Sequence, residues 1–150
     1  MRKLVVAVSF VSLCAGGAEA AEPRCYAPAE IEAEQAILFQ TELMVVAEEC
    51  RDPSYVSFVT RNREAIVEYQ HRMIEHFRRA GGGRAETVFD AYLTRLANQS
   101  ALRNGEVPRE TVCAQGASLI ATANSLDKEK LRRFAAEKAA TNRQHYAMCK

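Results

Sequence analysis

From Pro28 onward the apolar residues recur at helical spacing, and no alternating strand pattern interrupts them. In the first segment the polar residues fall in pairs seven apart: Glu34-Gln35, Thr41-Glu42 and Glu48-Glu49. Seven residues are nearly two turns, so the pairs stack into one narrow wet stripe. Ile31, Ile37, Leu38, Leu43, Met44, Val45 and Val46 cover the rest of the circumference. A helix with so thin a polar stripe is enclosed by neighbours on most sides, and this segment is predicted to be the nearly central rod. Pro28 and the acidic Glu30, Glu32 and Glu34 suit its N-terminus, and Arg51-Asp52-Pro53 breaks the chain after Cys50.

Asp52 as N-cap and Pro53 at the first helical position open a second helix. It runs to about Ala80, with Tyr55, Val59, Asn62, Ile66, Tyr69, Met73 and Phe77 inward, and Gly81-Gly82-Gly83 ends it. A third covers about 84–103, with Val88, Phe89, Tyr92 and Leu96 inward, until Asn104-Gly105. Pro108 starts a fourth, whose apolar side is Val112, Cys113, Leu119, Ile120 and Ala123; Gly116 on that side permits a close neighbour. Asn124-Ser125 reads as a break and new cap. A fifth, highly charged helix spans 126–148, and its sparse apolar residues (Leu131, Phe134, Ala135, Tyr146) predict loose packing or protrusion. Short connections favour antiparallel neighbours, so the fold class is an all-α antiparallel bundle of four to five helices.

The first 20 residues stand apart. Arg2 and Lys3, the apolar run Leu4–Leu13 and the small-x-small Ala18-Glu19-Ala20 form the plan of a signal peptide, with residues 21–150 as one domain and cleavage after Ala20. Lipoprotein processing at Cys14 is the lesser alternative, since Leu13 is large for the position before a lipidated cysteine. No later stretch reads as a membrane span. A periplasmic or secreted location follows. Removing the leader takes 20 Lys+Arg and 19 Asp+Glu to 18 of each, a balance that does not suggest nucleic acid.

It also leaves Cys25, Cys50, Cys113 and Cys149, an even set that reads as two disulfides reinforcing the bundle. If the helices alternate, the fourth starts at the Cys50 pole with Cys113 about one turn inside it, which pairs Cys50 with Cys113. Cys25–Cys149 remains by elimination, and its geometry stays open. A fifth helix that doubles back brings Cys149 to the wrong pole, and one that continues the fourth overshoots.

The segments LFQTELMVVAEECRDPSYVSFVTRN (residues 38–62) and YLTRLANQSALRN (residues 92–104) resemble an uncharacterised family of small secreted helical proteins from Gram-negative bacteria. In that family a Gln-Thr-Glu-Leu-Met run ends in Cys and a Thr-x-Leu-Ala-Asn run lies downstream. Here Glu48-Glu49 stand where small or apolar residues are more usual. The resemblance implies a helical exported domain and a role for Cys50 and Cys113, and carries over no catalytic residue.

Glu68-x-x-His71, flanked by Glu64 and Glu75, matches one quarter of a di-iron bundle signature. These residues lie opposite the inner face of their helix and no second copy exists, so a solvated charged face is expected and no cofactor or metal is assigned. His76 reads as a boundary residue beside Phe77, and His145 as solvated. Asn62 and Gln99 fall on otherwise apolar faces, and Thr41 of the polar stripe is a candidate partner for either. As buried polar groups they are expected to bond one another and set the bundle's register, or else to line a cleft. Gly81-Gly82-Gly83-Arg84 reads as a turn, since no strand precedes it and no Gly-Lys-Ser/Thr follows.

Charge separates the two ends. Residues 28–50 hold six glutamates and no Lys or Arg, while residues 125–150 hold seven basic residues against three acids. The sequence therefore points to a non-enzymatic binding or structural module. Its partner is expected to be a protein or an anionic envelope component, met through Lys128, Lys130, Arg132, Arg133 and Arg143. The alternative is a small-ligand or metal-dependent protein with an interhelical pocket near Asn62 and Gln99.

Overall fold

The computed structural model describes residues 25–81 and 84–150. The leader, Cys14 and two of the three consecutive glycines lie outside the described residues. Five helices are formed among the described residues: α1 (Pro28–Cys50), α2 (Ser54–Gly81), α3 (Ala85–Asn104), α4 (Arg109–Ser125) and α5 (Lys128–Asn142), followed by a 3-10 turn at Arg143–His145. Among the described residues the only extended pairing is one parallel bridge between Tyr26 and Met148, and no helix is long and apolar enough to cross a membrane.

α1 packs against all four other helices, as its pattern predicts, and α2 does the same. The core they share includes Leu43, Phe58, Met73 and Leu131, all fully buried. Each such side chain stabilises the fold by about 1.5–3 kcal/mol relative to exposure. Gly116 of α4 sits where a Cβ would lie 2.4 Å from Cγ1 of Val46, so only glycine lets α4 approach α1 this closely. The predicted wet stripe is exposed at Glu42, Glu48 and Glu49, whereas Glu34 and Thr41 are buried. Leu38, Met44 and Val45 are only half-buried.

Chain breaks follow local chemistry. Ala27 offers α1 no capping side chain, so the Glu30 carboxylate reaches back to accept from the Ala27 N–H at 2.8 Å. At the other end Arg51 takes a left-handed conformation (φ 54°), with its N–H on the Glu48 carbonyl and the Asp52 N–H on the Ala47 carbonyl. Asp52 Oδ1 then accepts from the Ser54 N–H at 2.8 Å and opens α2. α4 ends at Ser125, at the break expected there, but the cap of α5 is Asp127, which accepts from the Lys130 N–H.

α5 differs most from expectation. It is shorter than 126–148 and does not protrude: Leu131 and Ala135 are fully buried, and the rings of Phe134 and Phe39 meet edge-on at 4.8 Å. Its path also answers how Cys149 reaches Cys25. α4 starts beside α1, where Arg109 donates to the Glu49 carbonyl, and finishes beside α2, where Arg61 and Asn62 donate to the Leu126 carbonyl. Those residues lie about 12 Å along α2 from Ser54, while α4 itself is about 25 Å long at the usual rise per residue, so α4 is strongly inclined. α5 then has length left to reach the opposite pole without overshooting. There Tyr26 donates to the Ala147 carbonyl, the Cys149 N–H donates to the Tyr26 carbonyl, and Cys25 bonds Cys149. Cys50 bonds Cys113 at the other pole.

Candidate functional site

Two regions collect the polar chemistry of the molecule. The first lies under the Cys25–Cys149 clasp. One oxygen of Glu30, Oε2, accepts from the Ala27 N–H at 2.8 Å, from His76 Nδ1 at 3.1 Å and from Arg79 at 2.7 Å. Burial alone raises the Glu30 pKa, but these three donors outweigh it and hold the carboxyl below the usual carboxylate range. His76 is fully buried, not a boundary residue, with Tyr26 against its ring at 4.1 Å. Its Nε2 has no hydrogen-bond partner among the described residues.

One turn further along α1, buried Glu34 accepts from the Tyr92 hydroxyl at 2.7 Å. Tyr146 stands beside the same carboxylate and accepts from Gln35, whose own carbonyl accepts from Asn142. Burial, followed by the charge of Glu34, pushes the pKa of Tyr92 up, and burial with the Glu34 carboxylate does the same for Tyr146. Tyr69 is also raised, first by burial and then by the charge of Glu32, to which its hydroxyl donates. The glutamates that looked like an N-terminal charge cluster are therefore an interior network. A signal was present: Tyr26, Tyr69, Tyr92 and Tyr146 supply hydroxyls that need buried acceptors.

The second region is a groove of about 670 Å³. Its floor is α1 at Leu38, Thr41 and Val46. One wall is α3, through Leu96, Gln99, Ser100, Arg103 and Asn104. The opposite wall is α4, through Gln115, Gly116, Ser118 and Leu119, continued by Phe134, Lys138 and Asn142 of α5. Along α1 it runs from Gln35 to Val46, about 16 Å at the helical rise. A smaller apolar slot of about 330 Å³ lies on the other flank of α3, between Ile37, Met44, Tyr55 and Leu93, and Thr41 lines both.

The residues expected to meet do not. Asn62 is fully buried, but its Nδ2 donates to the Phe58 and Leu126 carbonyls and bonds neither Thr41 nor Gln99. With Arg61, which donates to the Ala123 and Leu126 carbonyls, it closes the C-terminus of α4. Gln99 is exposed on the groove wall, and its neighbour Ser100 takes the buried position. The pocket near Asn62 and Gln99 is thus replaced by a groove that contains Gln99 and Thr41 only.

The basic residues divide as well. Lys128 pairs with Glu64 at 3.0 Å, Arg132 with Glu68 at 2.8 Å and Lys130 with Asp127 at 3.1 Å. α5 is therefore matched to the charged face of α2, not to the acidic stripe of α1. Arg133 and Arg143 are exposed and in no ion pair among the described residues. His71 faces outward, and among the described residues no three His, Cys, Asp or Glu side chains cluster as metal ligands. No family model, no curated protein and no solved structure matches the chain.

Proposed function

We propose that the protein is a non-enzymatic, extracytoplasmic binding module whose ligand seats in the groove between α3 and the α4–α5 wall. The observation that carries this reading is the groove itself: about 670 Å³ lined from four helices, within the volume range of ordinary ligand sites. Both disulfides flank the bundle that frames it, and such bonds persist in oxidising compartments. The basic start, apolar run and small-x-small site of residues 1–20 support export to the periplasm or medium, with lipidation at Cys14 as the lesser alternative. The likeness of residues 38–62 and 92–104 to small secreted helical proteins of Gram-negative bacteria supports the same compartment.

A second reading rests on Arg133 and Arg143. These exposed cations on and just after α5 suit a protein or anionic envelope component bound on the outer face. One experiment separates the two. The protein is immobilised and exposed to envelope extract, beside Gln115→Trp, which fills the groove from an exposed position, and an Arg133→Glu/Arg143→Glu double variant. Retention lost only in Gln115→Trp supports the groove. Retention lost only in the charge-reversed variant moves the contact to the outer face, and retention unchanged in both removes the proposal.

A further inference from the structure

We propose that the groove takes a short oligosaccharide; this rests on the groove being the ligand site. Most of its polar lining is neutral and able to donate and accept at once: Gln35, Gln99, Asn104, Gln115, Ser118 and Asn142. A sugar hydroxyl has the same double character, and a planar side-chain amide meets two adjacent hydroxyls with one donor and one acceptor. Formal charges in the lining are fewer and of opposite sign, Glu42 against Arg103 and Lys138. That mixture is unlike the clustered cations that hold a phosphate or carboxylate ligand. The apolar floor and walls, Leu38, Leu96 and Leu119, offer contact to the C–H faces of sugar rings.

Peptide ligands fit less well. A helical peptide needs a groove lined by apolar pockets, and an extended one needs an open sheet edge to pair with. The walls here are helices whose backbone groups are bonded internally, and the lining is predominantly polar. One lining residue has an unmet group: Asn104 Nδ2 bonds nothing among the described residues, but it is shielded from solvent, so a ligand meets it only when the amide turns toward the groove.

The test uses the disulfide-bonded chain, labelled with ¹⁵N. It is titrated with maltotriose, cellotriose and triacetylchitotriose to about 10 mM, enough to detect a dissociation constant near 1 mM. An uncharged alanine–serine nonapeptide is the competing probe. At least one trisaccharide is expected to shift the side-chain amide signals of Gln99, Asn104 and Gln115. Gln115→Trp is expected to weaken that binding about tenfold or more, a change of about 1.4 kcal/mol, while Gln144→Ala outside the groove leaves it unchanged. If no trisaccharide moves these signals, or if the shifts persist in Gln115→Trp, the oligosaccharide inference is overturned. Shifts caused by the nonapeptide alone overturn it too, yet keep the groove as a ligand site. Failure of that broader reading shows separately, as envelope capture insensitive to Gln115→Trp.

Discussion

At the Cys25 pole, Glu30, Glu34, His76 and Tyr92 are all buried, and Glu30 holds His76 as Glu34 holds Tyr92. Toward the Cys50 pole, polar side chains line an open groove, where Gln35 and Asn142 bond each other while Gln99 and Gln115 are exposed on its walls. Both regions are built on the same helix, α1, and each is closed by a disulfide at its end. The difference lies in what covers α1. At the first pole the segments around Cys25 and Cys149 and the large rings of Tyr26, Phe77, Phe89 and Tyr92 fill the space, so carboxylates there had to find donors inside the protein. Over the second half α4 inclines away toward α2, and no ring from α3 reaches across, because Leu96, Ala97 and Ser100 have replaced the aromatics. A filled interior of paired carboxylates and rings gives a rigid end; an open surface of neutral amides on the same helix gives a place to bind.

Removing the clasp breaks the comparison most severely. A Cys25→Ser/Cys149→Ser double variant opens a loop of sequence separation 124 and should lose about 4 kcal/mol of stability in urea unfolding. The Cys25 pole should then exchange its amide hydrogens as fast as the groove walls. His76→Ala attacks the same pole from within. It leaves a cavity and strips one donor from the buried Glu30 oxygen, and should cost about 3 kcal/mol in the same assay. An unchanged midpoint would mean that the network contributes little.

In the groove half the sensitive point is the α1–α4 approach. Gly116→Ala places a methyl group on the branched side chain of Val46 and should cost about 2 kcal/mol. The exposed groove residues should behave oppositely: Gln99→Ala and Gln115→Ala are expected to change stability by less than about 0.5 kcal/mol. A large loss from either would show that the groove is a structural seam.

The pH response should also divide the molecule. The Glu30 carboxyl is held below its ordinary value of 4.5, so its stabilising contribution is present above that pH and lost as pH falls through the lowered value. Half-buried Glu68 and Asp127 are lowered too, the first by its bond to Arg132 and the second by the Lys130 N–H, but solvent reaches and screens both. Tyr69, Tyr92 and Tyr146 are raised from an ordinary value of 10.0, so what they contribute is present below that pH and lost as pH rises toward their folded values. An ultraviolet titration should show these three phenols ionising only with alkaline unfolding, and acid unfolding should begin at the Glu30 end of α1. Ionisation of all five tyrosines near the ordinary value would contradict the buried network.

Much of the architecture was legible because it depends on local periodicity. The spacing of Ile31, Ile37, Leu43 and Val46 marks α1 as enclosed, Asp52-Pro53 marks the start of α2, and Gly116 marks a close approach. Three features were not legible, and each has a tertiary cause. Glu30 and Glu34 look like solvated helix-start charges until the C-terminus of α2 supplies His76 and Arg79 and α3 supplies Tyr92. Gln99 and Ser100 are neighbours, and a small rotation of α3 decides which of them is buried. The sparse apolar residues of α5 suggested a loose helix, yet Leu131 and Ala135 suffice because Glu64 and Glu68 of α2 receive its cations.

The class of the fold, a count of four to five helices, the rough limits of the first four and the shared pole of Cys50 and Cys113 were readable from the chain alone. All of these follow from contacts along one helix or between neighbours joined by short turns. The tertiary structure alone decided the inclination of α4, the course of α5 to Cys25, the burial of His76 and the existence of the groove. These depend on the angle at which helices cross, which is set by how side chains far apart in the chain interlock, and periodicity along one strand of sequence carries no record of that angle.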